Sequence, residues 1–392
     1  MYKVYKDKLR VLFVNRQNAL TILGGDTIQM IKTKEALEKL GAEIDIDLSL
    51  HPNAKGYDLV HIFNTQIPNE EMEQVKHIRE NYQIPIVLSP IYWDNTEKKY
   101  YCKIIKKTFN LRKRRSFDIL LPKIIKDKKI SKQLLFLGRP KLKISFSLLK
   151  FKKKQQNLIN AVDYLLPTSY QEMEQIKSSL KITKENFAII PNAIDPQIFL
   201  NASSDWFASN FKIKNFILCV ARIEVHKNQL LLIYALKDLN LPLVFIGEPD
   251  PHQKEYFKAC KEYANDSVVF INHLSQRHLA SAYKAACVHV LPSWFEVPGL
   301  VNLEAASCDC NIVVSDRGST KEYFKEFAYY CDPRNITSIR DAVVRAYENY
   351  DKDKEKREQL KKIILSKYTW DSAAKLTLEA YKRCIKKNIL IH

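Results

Sequence analysis

The sequence predicts an α/β protein with two doubly wound, parallel-sheet domains of the Rossmann-like kind. Short continuous apolar runs, typical of parallel strands covered on both faces, alternate with segments of helical spacing. The alternation begins at residues 11–14, is interrupted after residue 88, resumes at residues 163–167, and is repeated from residues 216–220 onward. A length of 392 residues fits two domains of ordinary size.

In the first half, apolar runs predict strands at residues 11–14, 43–48, 59–63, 86–88, 163–167 and 188–191. The stretches between them predict helices at residues 26–40, 70–82 and 168–176. Gly24 and Gly25 form the turn after the first strand, and Gly41 ends the first helix. We expect residues 1–192 to form the first domain.

The second half repeats the pattern. Its apolar runs predict strands at residues 216–220, 243–247, 267–271, 288–291 and 311–314. Helices are predicted from Gln229 onward and at residues 251–263, 276–286 and 300–306. We expect residues 193–370 to form the second domain, and a last helix at residues 371–392 to pack back on the first.

The net charge of +19 comes from one segment. Residues 98–154 hold 21 lysine and arginine residues against two acids, whereas the rest of the chain holds 42 of each kind. We interpret this segment as a basic insertion in the first domain. Its lysines alternate with aromatic and aliphatic residues, a composition that favours contact with an anionic membrane surface. A nucleic-acid-binding surface over the whole protein is excluded by this distribution.

Eight cysteines are scattered through apolar contexts, without a Cys-x-x-Cys pair. That usage is typical of small core residues in a reducing compartment, and it predicts no metal site. The sequence has no signal-peptide pattern and no apolar run of about 18 residues. We expect a cytoplasmic protein, with peripheral contact to the inner face of the cell membrane as a further expectation.

The most informative stretch is residues 293–304, Ser-Trp-Phe-Glu-Val-Pro-Gly-Leu-Val-Asn-Leu-Glu. It follows a buried-strand pattern and turns through Pro298 and Gly299 into a helix, whose first amides suit a phosphate. Glu296 and Glu304 bracket the turn, so both carboxylates can face one ligand. The pattern predicts a site for a diphosphate-linked sugar, with a corner carrying two solvated glutamates as the alternative.

Further polar features follow neighbouring predicted strands of the second domain. Arg222 and Lys227 come after its first strand, where a guanidinium and an ammonium can clamp a diphosphate. Gly247 and residues 272–275 and 318–322 follow later strands. Because ligands bind at the carboxyl ends of strands in such sheets, we expect these features to share one edge.

The ordered set of motifs resembles the retaining glycosyltransferases of family 4, which have the GT-B fold. The set comprises Pro-Asn-Ala-Ile-Asp at 191–195, Ala-Arg-Ile-x-x-x-Lys-Asn at 221–228, Glu-x7-Glu at 296–304, the Gly-Gly turn at 24–25 and Tyr-Thr-Trp-Asp at 368–371. The resemblance covers nearly the whole chain. It implies two Rossmann-like domains that face each other across a cleft, and a hexosyltransferase that uses a UDP- or GDP-linked sugar with retention of configuration. The nucleotide sugar is a substrate, and neither a cofactor nor a metal is implied.

The resemblance also implies roles for individual residues. Arg222 and Lys227 would hold the donor diphosphate and stabilise the departing nucleotide, and Glu296 would contact hydroxyls of the donor sugar. These three are the implied catalytic residues. The implied donor-binding residues are Gly24, Gly25, Gly247, Leu274, Gly299, Leu300, Val301 and Glu304. Among them Glu304 would accept from the ribose hydroxyls, and Leu274 would border the base.

On the acceptor side, the candidates in the first domain are Asn64 and Asp94, which follow the strands at 59–63 and 86–88. Because the basic segment belongs to the same half, we expect a lipid-linked glycan acceptor and a role in bacterial-type surface polysaccharide or glycolipid biosynthesis. A soluble transferase with a non-lipid acceptor is the alternative. Further alternatives are a GT-B sugar-nucleotide epimerase, a phosphorylase and a basic nucleic-acid-binding protein.

Overall fold

The computed structural model describes residues 8–22, 24–94, 96–109 and 146–389. The chain divides into two compact units, each built around a parallel sheet. The described residues of unit 1 lie within Met1–Asp94, Ile144–Ile194 and Lys367–His392, and those of unit 2 lie within Asn95–Lys143 and Asp195–Ser366.

The described part of unit 1 contains the strands β1 (Arg10–Val14), β2 (Glu43–Asp47), β3 (Leu59–Phe63), β4 (Ile86–Ser89) and β5 (Tyr164–Leu165). All pair in parallel, in the order β2-β1-β3-β4-β5. Its helices are α1 (Gly25–Lys39), α2 (Pro68–Asn81), α4 (Phe146–Ala161), α5 (Tyr170–Leu180) and α15 (Trp370–Ile389). The central strands β3 and β4 are buried at every position, as their continuous apolar runs predict.

The predicted strand at 188–191 is wrong. This segment lies beside β5 through backbone hydrogen bonds such as Ala188 N to Leu165 O at 3.0 Å, but it forms only an isolated bridge, at Phe187. β5 is also shorter than the predicted 163–167. Pro167 and Pro191 have no amide hydrogen to donate, so a regular ladder cannot continue through them.

The last helix, α15, belongs to unit 1, where it packs against α1. The hydroxyl of Tyr381 lies 2.6 Å from Nδ1 of His61, whose Nε2 lies 2.8 Å from the hydroxyl of Ser89. Burial lowers the pKa of His61 to about 3, so this ring is neutral. His61 is therefore a core residue that connects the sheet to the last helix.

The described part of the basic segment is divided between the units, which corrects the expectation that residues 98–154 form an insertion in the first domain. Helix α3 (Thr96–Thr108) lies in unit 2, where Ile105 and Phe109 join the hydrophobic core. The ring of Phe109 packs edge-on against Tyr263 at 5.3 Å. Helix α4 instead packs against α2 of unit 1, and residues 110–145 lie outside the described residues. Ile105 near the end of α3 and Phe109 just after it, four positions apart, explain the attachment of this helix to unit 2.

The described part of unit 2 contains the strands β6 (Phe216–Val220), β7 (Leu243–Ile246), β8 (Val268–Ile271), β9 (Ala286–Leu291), β10 (Asn311–Ser315) and β11 (Ala328–Cys331). Its remaining helices are α6 (Pro196–Phe199), α7 (Asp205–Phe211), α8 (Gln229–Leu236), α9 (Lys254–Tyr263), α10 (Gln276–Ala285), α11 (Leu300–Ser307), α12 (Thr320–Phe324), α13 (Ile336–Glu348) and α14 (Lys354–Lys367). Short 3₁₀ turns occur at Val225–Lys227 and Lys325–Phe327.

The sheet of unit 2 is parallel throughout, in the order β11-β10-β9-β6-β7-β8. Five of its strands were predicted, and they place the segments that follow them at one edge, as expected. The two sheets confirm the predicted α/β class with doubly wound parallel domains. None of the described helices is long and apolar enough to cross a membrane.

Candidate functional site

The turn between β9 and α11 has the geometry that the sequence stretch 293–304 predicts. Gly299 precedes the first residue of α11 with φ at +83°, a conformation that favours glycine. A Cβ at this position would lie 2.8 Å from Nδ2 of Asn302 and 3.0 Å from Oε2 of Glu296. The start of α11 and the carboxylate of Glu296 are therefore in contact distance, and a larger residue than glycine would separate them.

The backbone of Glu296 is fixed by the loop that follows β10. Its carbonyl accepts a hydrogen bond from Ser319 N at 2.8 Å. A Cβ on Gly318, which has φ at +84°, would lie 1.9 Å from the same carbonyl oxygen. The glycine thus permits the close approach of two loops that holds Glu296, which is only 6% exposed. Sequence reasoning placed 318–322 at the same edge but did not predict this support.

The side chains of Lys227 and Glu296 form an ion pair. Lys227 Nζ lies 2.6 Å from Glu296 Oε1, and the two side chains are 20% and 7% exposed. The sequence predicted both residues for one donor site, and the structure brings them into direct contact. A cation and a carboxylate are thus held together beside the start of a helix.

Arg222 lies on the same edge, directly after β6. Gln229 Nε2 donates to the Arg222 carbonyl at 2.9 Å. The neighbouring strand end also packs closely here, because a Cβ on Gly247 would lie 2.2 Å from the carbonyl oxygen of Ala221. Gly247 thus has a packing reason to be glycine, separate from the donor-binding role predicted for it.

Lys227 ends a 3₁₀ turn, and α8 begins at Gln229, as the sequence predicts. Between them, Asn228 adopts a left-handed conformation with φ at +64°. Its Nδ2 donates to the carbonyls of Pro292 at 3.1 Å and Pro333 at 2.9 Å. Asn228 therefore ties the lysine loop to the loop after β9, a function that the sequence did not signal.

Glu304 lies on the second turn of α11 and is 8% exposed. Its Oε2 accepts a hydrogen bond from the hydroxyl of Tyr283, on α10, at 3.0 Å. Burial raises the pKa of Glu304 to about 7, and the bond from Tyr283 acts in the opposite direction. Sequence reasoning missed Tyr283, because an aromatic residue on a buried helix face is usually a core residue.

Leu274 is half-buried and lies two positions before the first residue of α10.

In unit 1, Gly24 and Gly25 form the start of α1, at the carboxyl end of β1. A Cβ on Gly24 would lie 2.5 Å from Oδ1 of Asp26, whereas a Cβ on Gly25 would have no atom within 4 Å. The carboxylate of Asp26 is held by Arg16 Nε at 2.8 Å, in a buried ion pair. Gly25 therefore faces open space, next to a carboxylate that a buried ion pair holds.

The two acceptor-side candidates have different surroundings. Asn64 has φ at +85°, and its Nδ2 donates to Asp26 Oδ2 at 3.3 Å, which joins it to the glycine turn. Its Oδ1 accepts from the amide of Thr65 at 2.7 Å. Asp94 is instead paired with Lys152 of α4, at 2.7 Å. Asn64 thus belongs to the same polar cluster as the glycine turn, and Asp94 belongs to a separate ion pair.

The fold is that of the GT-B glycosyltransferases. A sucrose-phosphate synthase from Thermosynechococcus elongatus superposes with a TM-score of 0.71 at 15% identity, over 97% of this chain and 100% of that one. The HepE protein of Anabaena, solved in complex with UDP and glucose, superposes with a TM-score of 0.68 at 13% identity, over 96% of this chain and 100% of that one.

Residues 204–364 match the family model for glycosyl transferases group 1, so unit 2 carries a domain of this kind. An uncharacterized glycosyltransferase of Methanocaldococcus jannaschii is 28% identical over 248 residues, which cover 57% of this chain and 63% of that protein. A lipopolysaccharide 1,2-N-acetylglucosaminetransferase of Salmonella typhimurium is 25% identical over 51% of this chain and 57% of that protein. The chain thus spans between half and two thirds of the length of these relatives.

A third relative has a name that states its acceptor. It is the N-acetylgalactosamine-N,N'-diacetylbacillosaminyl-diphospho-undecaprenol 4-alpha-N-acetylgalactosaminyltransferase of Campylobacter jejuni. It is 28% identical over 225 residues, which cover 52% of this chain and 60% of that protein.

Proposed function

We propose that this protein is a glycosyltransferase that transfers a hexose from a UDP- or GDP-linked sugar to a glycan acceptor. The observation that carries the proposal is the contact between Lys227 and Glu296 at the start of α11, within a glycosyl transferases group 1 domain. A helix N-terminus and a lysine suit the diphosphate, and a carboxylate suits the hydroxyls of a sugar. The epimerase, phosphorylase and nucleic-acid alternatives have no comparable observation in their favour.

The donor-site roles follow from this arrangement. Arg222 and Lys227 would bind the diphosphate, together with the amides of residues 299–301. Glu296 would accept hydrogen bonds from the donor sugar and Glu304 from the ribose, because Lys227 and Tyr283 hold these two carboxylates at the site. Gly25 leaves room for a ligand beside the backbone of α1. Gly247 and Leu274 would border the nucleotide.

Among the acceptor-side candidates, Asn64 is better placed than Asp94, because Asn64 contacts the glycine turn.

We further propose that the reaction retains the configuration of the sugar, as in family 4. The bond between the anomeric carbon and the donor phosphate oxygen breaks, and the acceptor hydroxyl oxygen forms its bond on the same face. The hydroxyl proton passes to the departing phosphate oxygen, which leaves a nucleoside diphosphate. Arg222 and Lys227 would stabilise the charge that develops on that leaving group, so the proposal requires no metal.

The acceptor is proposed to be a lipid-linked glycan at the inner face of the cell membrane, in surface polysaccharide or glycolipid biosynthesis. Support comes from the acceptors that the Salmonella and Campylobacter names state, and from the start of α4. There Phe146 is 72% exposed and Leu149 is 51% exposed, beside exposed lysines such as Lys150. Apolar side chains next to lysines suit an anionic membrane surface. A soluble acceptor is the second candidate, because a probable sucrose-phosphate synthase of Thermosipho melanesiensis is also similar, at 24% identity.

Calorimetric titration of the purified chain with UDP-glucose, UDP-N-acetylglucosamine and GDP-mannose tests the proposed function. We expect one of these to bind, and Arg222→Gln to weaken that binding by about tenfold, because a charge-assisted hydrogen bond contributes about 1.5–3 kcal/mol. Arg340→Gln is the matched control, since Arg340 forms an ion pair with Asp238 elsewhere in unit 2. Failure of the folded wild-type protein to bind any nucleotide sugar or nucleoside diphosphate would contradict the proposal.

A further inference from the structure

The ion pair of Lys227 and Glu296 joins two groups to which the proposed function gives different partners. The lysine is assigned to the diphosphate and the glutamate to the sugar, yet in this structure they bind each other at 2.6 Å. Both side chains are mostly buried, at 20% and 7% exposure, so salt screens their interaction only weakly. A diphosphate that reaches Lys227 must therefore compete with the carboxylate of Glu296 for the same ammonium group.

We propose that this ion pair makes the site discriminate between the intact sugar nucleotide and the nucleoside diphosphate left after transfer, with Glu296 as the residue that sets the preference. The inference rests on the proposed function. It adds a preference for the intact sugar nucleotide, which contacts to the phosphates alone would not provide.

The discrimination follows from the charges. With the intact donor, hydroxyls of the sugar donate hydrogen bonds to Glu296 while Lys227 turns to the diphosphate, so each charged group keeps a partner. With the nucleoside diphosphate alone, Glu296 loses its ammonium partner and faces a second anion. A buried carboxylate without a partner is unfavourable, and repulsion between like charges increases the penalty.

The same competition acts after the reaction. Once the bond from the anomeric carbon to the phosphate oxygen has broken, the sugar and its hydroxyls remain with the acceptor. Glu296 then competes again for Lys227, which weakens the hold on the nucleoside diphosphate. The ion pair of Lys227 with Glu296 therefore favours departure of the spent nucleotide.

The position of Glu296 makes this exchange local. Its carbonyl accepts a hydrogen bond from Ser319 N at 2.8 Å, and the backbone of Gly318 packs closely against it. Only the side-chain carboxylate needs to change partner, from Lys227 to the sugar. Its other oxygen, Oε2, already lies toward the turn at Gly299, where the helix start would receive a phosphate.

The test is Glu296→Gln, which keeps the shape of the side chain and removes its charge. Dissociation constants for UDP and UDP-glucose, or for GDP and GDP-mannose if that pair binds, are measured by calorimetry for the wild type and the variant. We expect the variant to bind the nucleoside diphosphate about fivefold more tightly, equivalent to about 1 kcal/mol. The preference of the wild type for the sugar nucleotide should decrease by at least that factor.

Two further variants separate charge from structure. Glu296→Asp keeps the charge, so its affinity for the nucleoside diphosphate should stay within about twofold of the wild type. Glu358→Gln changes the net charge equally at an exposed position of α14 and should change neither constant. Thermal unfolding of each variant confirms that the site is folded.

The outcomes distinguish this inference from the proposed function. If Glu296→Gln binds the nucleoside diphosphate no more tightly than the wild type does, the inference is wrong, while the donor site stands. If the wild type binds neither the nucleotide sugars nor the nucleoside diphosphates, the proposed function fails and the inference fails with it.

Discussion

At the residue scale, Tyr283 and Glu304 form the second polar contact of the candidate donor site. The hydroxyl of Tyr283 donates to Oε2 of Glu304 at 3.0 Å, and burial raises the pKa of that carboxyl to about 7. Burial raises the pKa of the nearby Cys308 to about 12 and raises that of Cys310 well above its ordinary value. Burial lowers the pKa of His289 to about 3. In this group only Glu304 changes its charge near neutral pH.

A pH dependence of donor binding follows. The ionised carboxylate accepts from the ribose, so affinity for the donor should be highest well above pH 7 and should decrease as pH falls through 7. Tyr283→Phe removes a bond that favours the ionised form, so the pKa of Glu304 rises and the decrease begins at higher pH. At pH 7 we expect the donor affinity to be about threefold to tenfold lower, as for the loss of one hydrogen bond. Calorimetric titrations from about two pH units below neutral to about two units above it measure this.

Tyr347→Phe is the control for this prediction. It removes another tyrosine hydroxyl of unit 2, which donates to the carbonyl of Asn215 rather than to a candidate site residue. Its binding profile should coincide with that of the wild type. If Tyr283→Phe weakens binding equally at every pH, Tyr283 supports the fold of α11 without controlling the charge of Glu304.

The individual contacts of the site were the least predictable part from the sequence. Residue types and strand ends predicted that Lys227, Glu296 and Glu304 share one edge, because parallel strands place their carboxyl ends together. The contacts themselves join residues 69 and 21 positions apart, and no local pattern encodes such pairs. Tyr283 and Asn228 were missed for this reason, since each acts through a tertiary hydrogen bond.

At the scale of elements, the two neighbouring glycines at the start of α1 differ in the free space around them. A Cβ on Gly24 would lie 2.5 Å from Oδ1 of Asp26, whose carboxylate pairs with Arg16. A Cβ on Gly25 would meet no atom within 4 Å. Packing within the fold therefore explains why residue 24 is a glycine. A ligand that approaches the start of α1 would explain why residue 25 is one.

Gly25→Ala tests that approach. We expect the free energy of unfolding to change by less than about 1 kcal/mol, because alanine fits the space and suits a helix. The kcat/KM for the donor should decrease by about tenfold or more, because the added methyl group occupies the space of the ligand. Chemical denaturation and initial rates with the sugar nucleotide identified by titration measure the two effects.

Gly24→Ala serves as the comparison, because it should lower the free energy of unfolding by about 1–3 kcal/mol through overpacking against Asp26. Unchanged donor kinetics in Gly25→Ala, with wild-type stability, would mean that the donor does not approach this turn.

The elements that were predicted best are the buried ones. β3, β6 and β9 are continuous apolar runs because helices cover the faces of parallel sheets, and such runs are visible in the sequence. The edge strand β11, Ala-Tyr-Tyr-Cys, is only partly buried and was not predicted. The attachment of α3 to unit 2 was also missed, because it depends on which apolar surface Ile105 and Phe109 reach. Periodicity indicates that a helix has an apolar face but does not identify its partner.

At the scale of the whole molecule, charge is concentrated in one part of the chain. The net charge of +19 equals that of residues 98–154, since the remaining residues are balanced. One described part of this segment, the start of α4, exposes Phe146 and Leu149 together with Lys150 and Lys153. Each basic residue near an anionic surface contributes about 1 kcal/mol, and inserted apolar side chains add to it.

Binding to vesicles tests the membrane contact of the whole chain. We expect the wild type to sediment with vesicles containing phosphatidylglycerol and to be released by salt, because the attraction is electrostatic. Phe146→Ser with Leu149→Ser should lower that binding by about tenfold, since two exposed apolar side chains are lost. Leu376→Ser is the matched control, as Leu376 is 40% exposed on α15 of the same unit. If the double variant binds vesicles as well as the wild type does, insertion at α4 is excluded. If a variant with the lysines of 98–154 replaced by glutamine also binds equally well, the membrane contact itself is excluded.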